Sequence, residues 1–191
     1  MDEQSGNGKI GAVLVVGGGI GGVQSALDLA ESGYYVYLVE KSPSIGGVMS
    51  QLDKTFPTND CSMCILSPKL VECGRHLNIE LLTYSEVLDI KGEPGNFTVS
   101  IKKKARFVDG TKCTGCGLCA GGCPIIMKNE YDQELRERKA IYTPFLQSVP
   151  STYVIDKREE RPCKAACKEA CPIHMNALGY IALIAEGRIK E

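Results

Sequence analysis

The hydrophobic positions of the chain change period three times in its first forty residues. Ile10 to Val16 is a continuous apolar run of strand length, the pattern of a parallel strand buried on both faces. Gly17 to Gly22 interrupts it. From Ile20 to Ser32, Val23, Ala26, Leu27 and Ala30 recur at helical spacing, and Gly33 ends the run. Tyr35 to Glu40 then alternates as a second strand. A strand, a glycine turn, a helix and a strand within about 30 residues predict the opening of a doubly wound α/β fold.

Beyond Glu40 the pattern weakens. Lys41 to Pro68 is rich in Gly, Ser, Pro and Asp and reads as a functional loop. A short helix is expected over Pro68 to Arg75 and a third strand over Ile79 to Leu82. Val87 to Ile90 and Phe97 to Lys103 flank Gly92-Glu93-Pro94-Gly95-Asn96, whose turn residues predict a hairpin. From Asp109 cysteine and glycine displace the apolar pattern, which places a boundary near residue 107. Glu130 to Lys139 is charged and helical in character, Tyr142 to Val154 is extended, and Ala177 to Ile189 predicts an apolar helix. That last pattern runs toward Glu191 without a cap, as in a chain that continues. The expected division is a disordered leader over 1–9, a nucleotide-binding unit over 10–107, a ferredoxin-like segment over 108–160 and a truncated helical tail over 161–191.

Gly17-Gly18-Gly19-Ile20-Gly21-Gly22 satisfies the G-x-G-x-x-G pattern in its required context, after a strand and at the start of a helix. Gly17 would make the tight turn, Gly19 would let the backbone approach a pyrophosphate, and Gly22 would let the helix pack on the sheet. Glu40 ends the second strand about 20 residues on, where an acid accepts hydrogen bonds from ribose hydroxyls. Lys41 and the pair Gly46-Gly47 follow. An acid closely followed by a glycine pair resembles two-dinucleotide-fold flavoproteins, so FAD is favoured over NAD. The competing reading is a Rossmann-like scaffold with an empty site.

The ten cysteines fall into three groups. Cys113, Cys116, Cys119 and Cys123, the last followed by Pro124, have the spacing of a bacterial ferredoxin run, whose first three thiolates share a cubane and whose fourth serves another. Cys61-Ser-Met-Cys64 with Cys73 offers three more ligands, with Asp53, Asp60 or His76 as candidate fourth. Alternatively, Cys61 and Cys64 form a redox dithiol. Cys163, Cys167 and Cys171-Pro172 depart from ferredoxin spacing but keep the terminal Cys-Pro. Three all-cysteine cubanes would need more thiols than the chain has, so about two [4Fe-4S] clusters are expected.

Composition narrows the setting. A net charge of −1 gives no electrostatic case for nucleic acid or a membrane surface. No apolar run is long enough to cross a bilayer, and no signal peptide is visible. Many cysteines without a secretory signal indicate a reducing compartment and metal rather than disulfides.

The stretches Val15-Val16-Gly-Gly-Gly-Ile-Gly-Gly22, Tyr37-Leu-Val-Glu-Lys-Ser-Pro-Ser-Ile-Gly-Gly47 and Leu52 through Asp60-Cys-Ser-Met-Cys64 to Arg75 resemble heterodisulfide reductase, specifically its A-type component, and the relatives of that component. The ferredoxin run, Arg138 to Tyr142, and Tyr153 to Lys157 continue the likeness over about three quarters of the chain. From Arg161 the tail instead resembles the iron–sulfur module of glutamate synthase small-subunit proteins. The resemblance implies an α/β, Rossmann-like FAD-binding unit that is part of a two-dinucleotide fold, then a ferredoxin-like iron–sulfur segment and a helical cysteine-rich tail. It also implies FAD, several [4Fe-4S] clusters and an oxidoreductase role within a large cytoplasmic complex. The partners would be other electron-transfer subunits, and the chain could be homodimeric there. The competitors are a non-catalytic ferredoxin-like wiring module and a thiol–disulfide oxidoreductase.

Overall fold

The computed structural model describes residues 11–156, 168, 170–185 and 187–188. The expected leader, and Cys163 and Cys167 of the third cysteine group, lie outside the described residues. The chain divides into two compact units, the first ending at Asp156.

The first unit is built on a parallel sheet of three strands, β1 (Ala12–Val16), β2 (Tyr35–Glu40) and β3 (Ile79–Thr83), in the order β1-β2-β3. The register pairs Ala12 with Tyr35 and Val36 with Ile79. Helix α1 (Ile20–Glu31) connects β1 to β2, and helix α2 (Ser62–Arg75) precedes β3. Parallel neighbours need such crossovers. Val23, Ala26, Leu27 and Ala30 of α1 meet Leu66, Leu70 and Cys73 of α2 over Val36 and Leu38 of β2, and this is the hydrophobic core. The Rossmann-like opening read from the apolar periods is therefore present.

α2 starts six residues earlier than the proline suggested, at Ser62, and carries Pro68 in its interior. Pro68 has no N–H to donate to the carbonyl four residues back, a defect normally found at helix starts. The anchoring of the first turn offsets it. The Ser62 hydroxyl donates to the Met49 carbonyl (2.6 Å), and Cys61 caps the turn by accepting the Cys64 N–H (3.2 Å).

β4 (Ser85–Glu93) and β5 (Asn96–Lys103) form the expected hairpin, longer than its apolar residues alone indicated, with a bulge between Val87 and Asp89. Beyond it come a five-residue helix α3 (Leu118–Gly122) and short strands β6 (Ile126–Lys128), β7 (Glu137–Lys139), β8 (Ile141–Tyr142) and β9 (Val154–Ile155). The helix expected over Glu130 to Lys139 is not formed. A 3-10 turn over Glu130–Asp132 is stopped by positive φ at Gln133 and Glu134, and β7 pairs antiparallel with β6. The charges that suggested a solvated helix serve an internal ion pair. Arg138, only 8% exposed in its side chain, joins Glu130 (2.8 Å) and Asp156 (2.7 Å) and lies 3.6 Å from the Tyr142 ring.

Residues 124–156 return to the sheet unit at three places. Ile45 N–H donates to the Val149 carbonyl (2.9 Å), the Tyr131 hydroxyl donates to the Ser50 carbonyl, and Phe145 stacks on Tyr131 (5.3 Å) beside the core. Within the second unit, helix α4 spans Ala177–Ala185, and Gly187 (φ +74°) follows it. Among the described residues no helix is long and apolar enough to cross a membrane.

Candidate functional site

The glycine turn joins β1 to α1. Gly17 has φ +103° and its N–H donates to the Val39 carbonyl (2.8 Å), so the turn is tied to the end of β2. A Cβ on Gly22 would lie 1.8 Å from the Gly17 carbonyl oxygen, so no other residue fits there. A Cβ on Gly19 would meet nothing within 4 Å. The backbone is thus bare on the side where α1 begins, and α1 has no side-chain cap. An uncapped helix N-terminus behind an open glycine turn suits a pyrophosphate.

Glu40 stands at the same end of the sheet. Its Oε2 accepts the Gly18 N–H (2.6 Å), and its Oε1 accepts the Ser42 N–H (2.7 Å). The Ser42 hydroxyl, with one proton, divides it between Glu40 Oε1 (2.7 Å) and the Ser44 carbonyl (2.6 Å). A carboxylate offers about four acceptor positions. Oε2 therefore keeps one free for a ribose hydroxyl, and a second hydroxyl would have to displace Ser42. Lys41 beside it is exposed.

The glycine pair lies across the turn. Gly46 (φ +129°) donates its N–H to the Gly18 carbonyl (2.7 Å), and a Cβ on Gly47 (φ +55°) would come within 2.9 Å of Gly19 Cα. The structure brings Gly17, Gly19, Gly22, Glu40, Gly46 and Gly47 into one cradle, and this set fits a dinucleotide.

Cys61 and Cys64 are joined in a disulfide at the N-terminus of α2. Cys73 is fully buried on the core face of the same helix, and burial pushes its thiol up to about 11. Cys61 and Cys64 are bonded to each other and Cys73 lies nine residues further along the helix, so the three thiols expected to share one cluster are not gathered at one position in this structure. Replacing Cys73 with serine should leave iron content unchanged and lower stability by about 1–3 kcal/mol, because a hydroxyl is buried among apolar side chains. Metal analysis and urea unfolding check the two halves of this prediction.

The ferredoxin run folds as a tight loop. Gly115 (φ +71°) and Gly117 (φ +80°) take left-handed conformations between the thiols. A segment from far downstream covers them. Tyr153 donates its N–H to Cys113 Sγ (3.4 Å). A Cβ on Gly115 would press to 3.0 Å of the Ser151 carbonyl, and one on Gly117 to 3.2 Å of the Tyr153 hydroxyl. Burial, with the adjacent Cys119, Cys116 and Cys113, raises the Tyr153 hydroxyl above the usual tyrosine range. Three of the four predicted thiols are therefore near enough to the Tyr153 hydroxyl to act on it through charge.

The thiols are free, and Cys116 and Cys119 are exposed. The Leu118 N–H and the Thr114 side chain hold Cys116 below the usual thiol range. At Cys123 burial pushes upward, but backbone hydrogen bonds at Ile141, Ile125 and Ala140 and the charge of Lys139 outweigh it. Among the described residues no three His, Cys, Asp or Glu side chains gather on a single-ion position. A cubane spreads its ligands wider than one ion does, and thiols with N–H donors suit it. In the second unit Cys171 is held below its usual range by backbone hydrogen bonds at Met175, Ile173 and His174.

Ser42, Tyr153 and Arg106 were missed from the sequence. Ser42 was legible as a hydroxyl two residues beyond Glu40. Tyr153 and Arg106 have no local signal, because their partners are remote in the chain.

Residues 12–61 match the family of FAD dependent oxidoreductases. One of the iron-sulfur A-type components of CoB--CoM heterodisulfide reductase in Methanopyrus kandleri is 61% identical over 142 residues, covering 74% of this chain and 22% of that protein. The corresponding iron-sulfur component of Methanocaldococcus jannaschii is 56% identical over 158 residues, covering 83% of this chain and 24% of its own length. Among solved structures, L-proline dehydrogenase from P. horikoshii shares 23% identity at a TM-score of 0.40, over 50% of this chain and 20% of that one. The chain thus spans about a quarter or less of the length of these relatives. Over about three quarters of its own length, it belongs to the HdrA family, the A-type components of heterodisulfide reductase.

Proposed function

We propose that this chain is the flavin and iron–sulfur electron-transfer portion of a heterodisulfide-reductase-like oxidoreductase complex. The observation that carries the reading is the glycine-lined thiol loop from Cys113 to Cys123, with its N–H donor from Tyr153, in the same folded unit as the cradle around Gly19. In this reading Gly17, Gly19, Gly22, Glu40, Lys41, Gly46 and Gly47 hold FAD. Cys113, Cys116, Cys119 and Cys123 hold iron, with Cys163, Cys167 and Cys171 as ligands from the tail, for about two [4Fe-4S] clusters. When bound, FAD supplies hydride and single-electron chemistry, and the clusters supply one-electron steps. The protein side chains position these groups, exclude water and direct N–H donors at sulfur; none need act as acid or base.

The assignment of function by segment is 10–107 for the nucleotide, 108–160 for the first thiol group and 161–191 for the tail. The partners are other electron-transfer subunits in the cytoplasm, with no nucleic acid and no membrane insertion. The names of the relatives, which are components of multi-subunit reductases, support the reading that other subunits are partners.

The Cys61–Cys64 disulfide favours a second reading of that site alone. Two electrons and two protons would open it to a dithiol, with Cys61, which accepts the Cys64 N–H, as the better-stabilised thiolate. Replacing Cys61 with serine should then leave iron content unchanged and abolish a two-electron thiol titration. A fall in iron would return Cys61 to the ligand set.

Flavin, iron and sulfide analysis of the anaerobically prepared chain tests the whole proposal. About one FAD per chain together with iron and sulfide is the expected result. Iron without flavin would reduce the protein to a wiring module on an empty scaffold.

A further inference from the structure

Arg106 lies between the two proposed cofactor sites and is anchored to only one of them. Its Nη2 donates to the Pro43 carbonyl and to Thr83 Oγ1 (2.6 Å), which ties it to the loop after Glu40 and to the end of β3. Its Nη1 is buried and has no hydrogen-bond acceptor among the described residues. A buried guanidinium N–H without a partner is costly, and such groups are normally satisfied. The backbone of Arg106 is tied to the segment that reaches the thiol loop. The Arg106 carbonyl accepts the Ile155 N–H (3.0 Å), and two residues earlier the Tyr153 N–H reaches Cys113 Sγ. Arg106 also lines a groove of about 580 Å³ with Gly110, Thr111 and Thr152, the residues that flank Cys113 and Tyr153. Arg106 thus lies in the same neighbourhood as the first ligand of the thiol loop, one backbone connection away from it. Burial pulls its pKa down, while Tyr84, Tyr142 and Cys113 are near enough to favour its charged form.

An iron–sulfur cube on four thiolates carries net negative charge, and reduction adds one more. A fixed cation beside it favours the reduced form. We propose that Arg106 is the counter-charge of the cluster held by Cys113, setting its reduction potential upward while its other nitrogen grips the nucleotide loop at Pro43. The inference rests on the reading that Cys113 ligates a cluster. Arg106 is a positioning residue, because it acts through charge and touches no reacting atom. It makes the electron affinity of the cluster depend on the loop that begins at Glu40.

The test is a potentiometric titration followed by electron paramagnetic resonance on the anaerobic, iron-loaded chain. Arg106→Gln keeps a polar N–H donor at this position and removes the charge. Its reduced-to-oxidised ratio at a fixed potential should fall about tenfold, a midpoint lower by about 59 mV for one electron. Arg106→Lys should keep most of the wild-type midpoint. Full iron with an unchanged midpoint in Arg106→Gln overturns the proposal. If Arg106→Gln fails to load iron while Arg106→Lys loads it, the charge is needed to hold the cluster and the proposal stands. If both fail, the requirement is for guanidinium shape and the proposal falls. Cys113→Ser serves as the separate control: iron and signal unchanged in that variant would remove the cluster reading itself, whatever Arg106 does.

Discussion

Alanine in place of Gly22 should strip the protein of flavin and lower its stability by about 3 kcal/mol or more. The added methyl would sit 1.8 Å from the Gly17 carbonyl oxygen, and that oxygen is backbone, so no rotamer change relieves the clash. Either the turn opens or α1 lifts from the sheet. Both expose the core residues Val23 and Ala26, which have no accessible surface in the fold. Gly19 separates the structural from the binding role of this motif. Its added methyl meets no protein atom within 4 Å, so Gly19→Ala should change stability by less than about 0.5 kcal/mol. It should nonetheless weaken FAD by about tenfold or more, about 1.4 kcal/mol, because the methyl occupies the space of the pyrophosphate. Urea midpoints together with flavin retention in both variants decide the matter. Equal retention of flavin by Gly19→Ala and the wild type would sink the assignment of the cradle.

Serine in place of Cys116 should remove about four irons per chain and leave the fold intact. Cys116 is exposed, so its thiol contributes little to packing. The surrounding donors, the Leu118 N–H and the Thr114 side chain, favour a thiolate, whereas a serine hydroxyl stays protonated at neutral pH. Serine at Cys119, which is also exposed, should have the same effect. Iron and sulfide should fall together, while flavin content and the unfolding midpoint stay at wild-type values. Retention of iron in the Cys116 variant would mean that the spacing of the run does not report ligation. The contrast with Cys73 is informative, since there serine should disturb the fold and leave iron alone.

The parts of this molecule that could be read in advance are those whose signal is local. The apolar run of β1, the three-and-four spacing of Val23, Ala26, Leu27 and Ala30, and the bare glycines between them each follow from backbone geometry within a few residues. The cradle was legible for the same reason: Gly17, Gly22 and Gly46 are demanded by positive φ or by a close backbone approach at their own positions. α2 was half hidden because Pro68 reads as a helix start, while the groups that hold its true first turn, Ser62 and Cys61, find partners on Met49 and on the helix itself. Glu130 to Lys139 was misread because charge usually marks solvent. Here Arg138 is enclosed by Glu130, Asp156 and Tyr142, an arrangement that exists only once three separate segments have met. The thiol trio at Cys61, Cys64 and Cys73 was a count of cysteines, and the helix period that puts Cys73 into the core was masked by the same proline.

The cover over the thiol loop is supplied by residues well downstream of it, from Ser151 and Tyr153, and that segment is held against the sheet through Val149. During synthesis a chain emerges from its N-terminus and domains fold as units. The loop from Cys113 to Cys123 therefore leaves the ribosome before the residues that pack against it. Until residues 149–155 dock, Cys113 lacks the N–H donor that Tyr153 supplies. Cys116 and Cys119 stay exposed even afterwards, so order of emergence delays the fixing of one thiol and leaves the others accessible throughout.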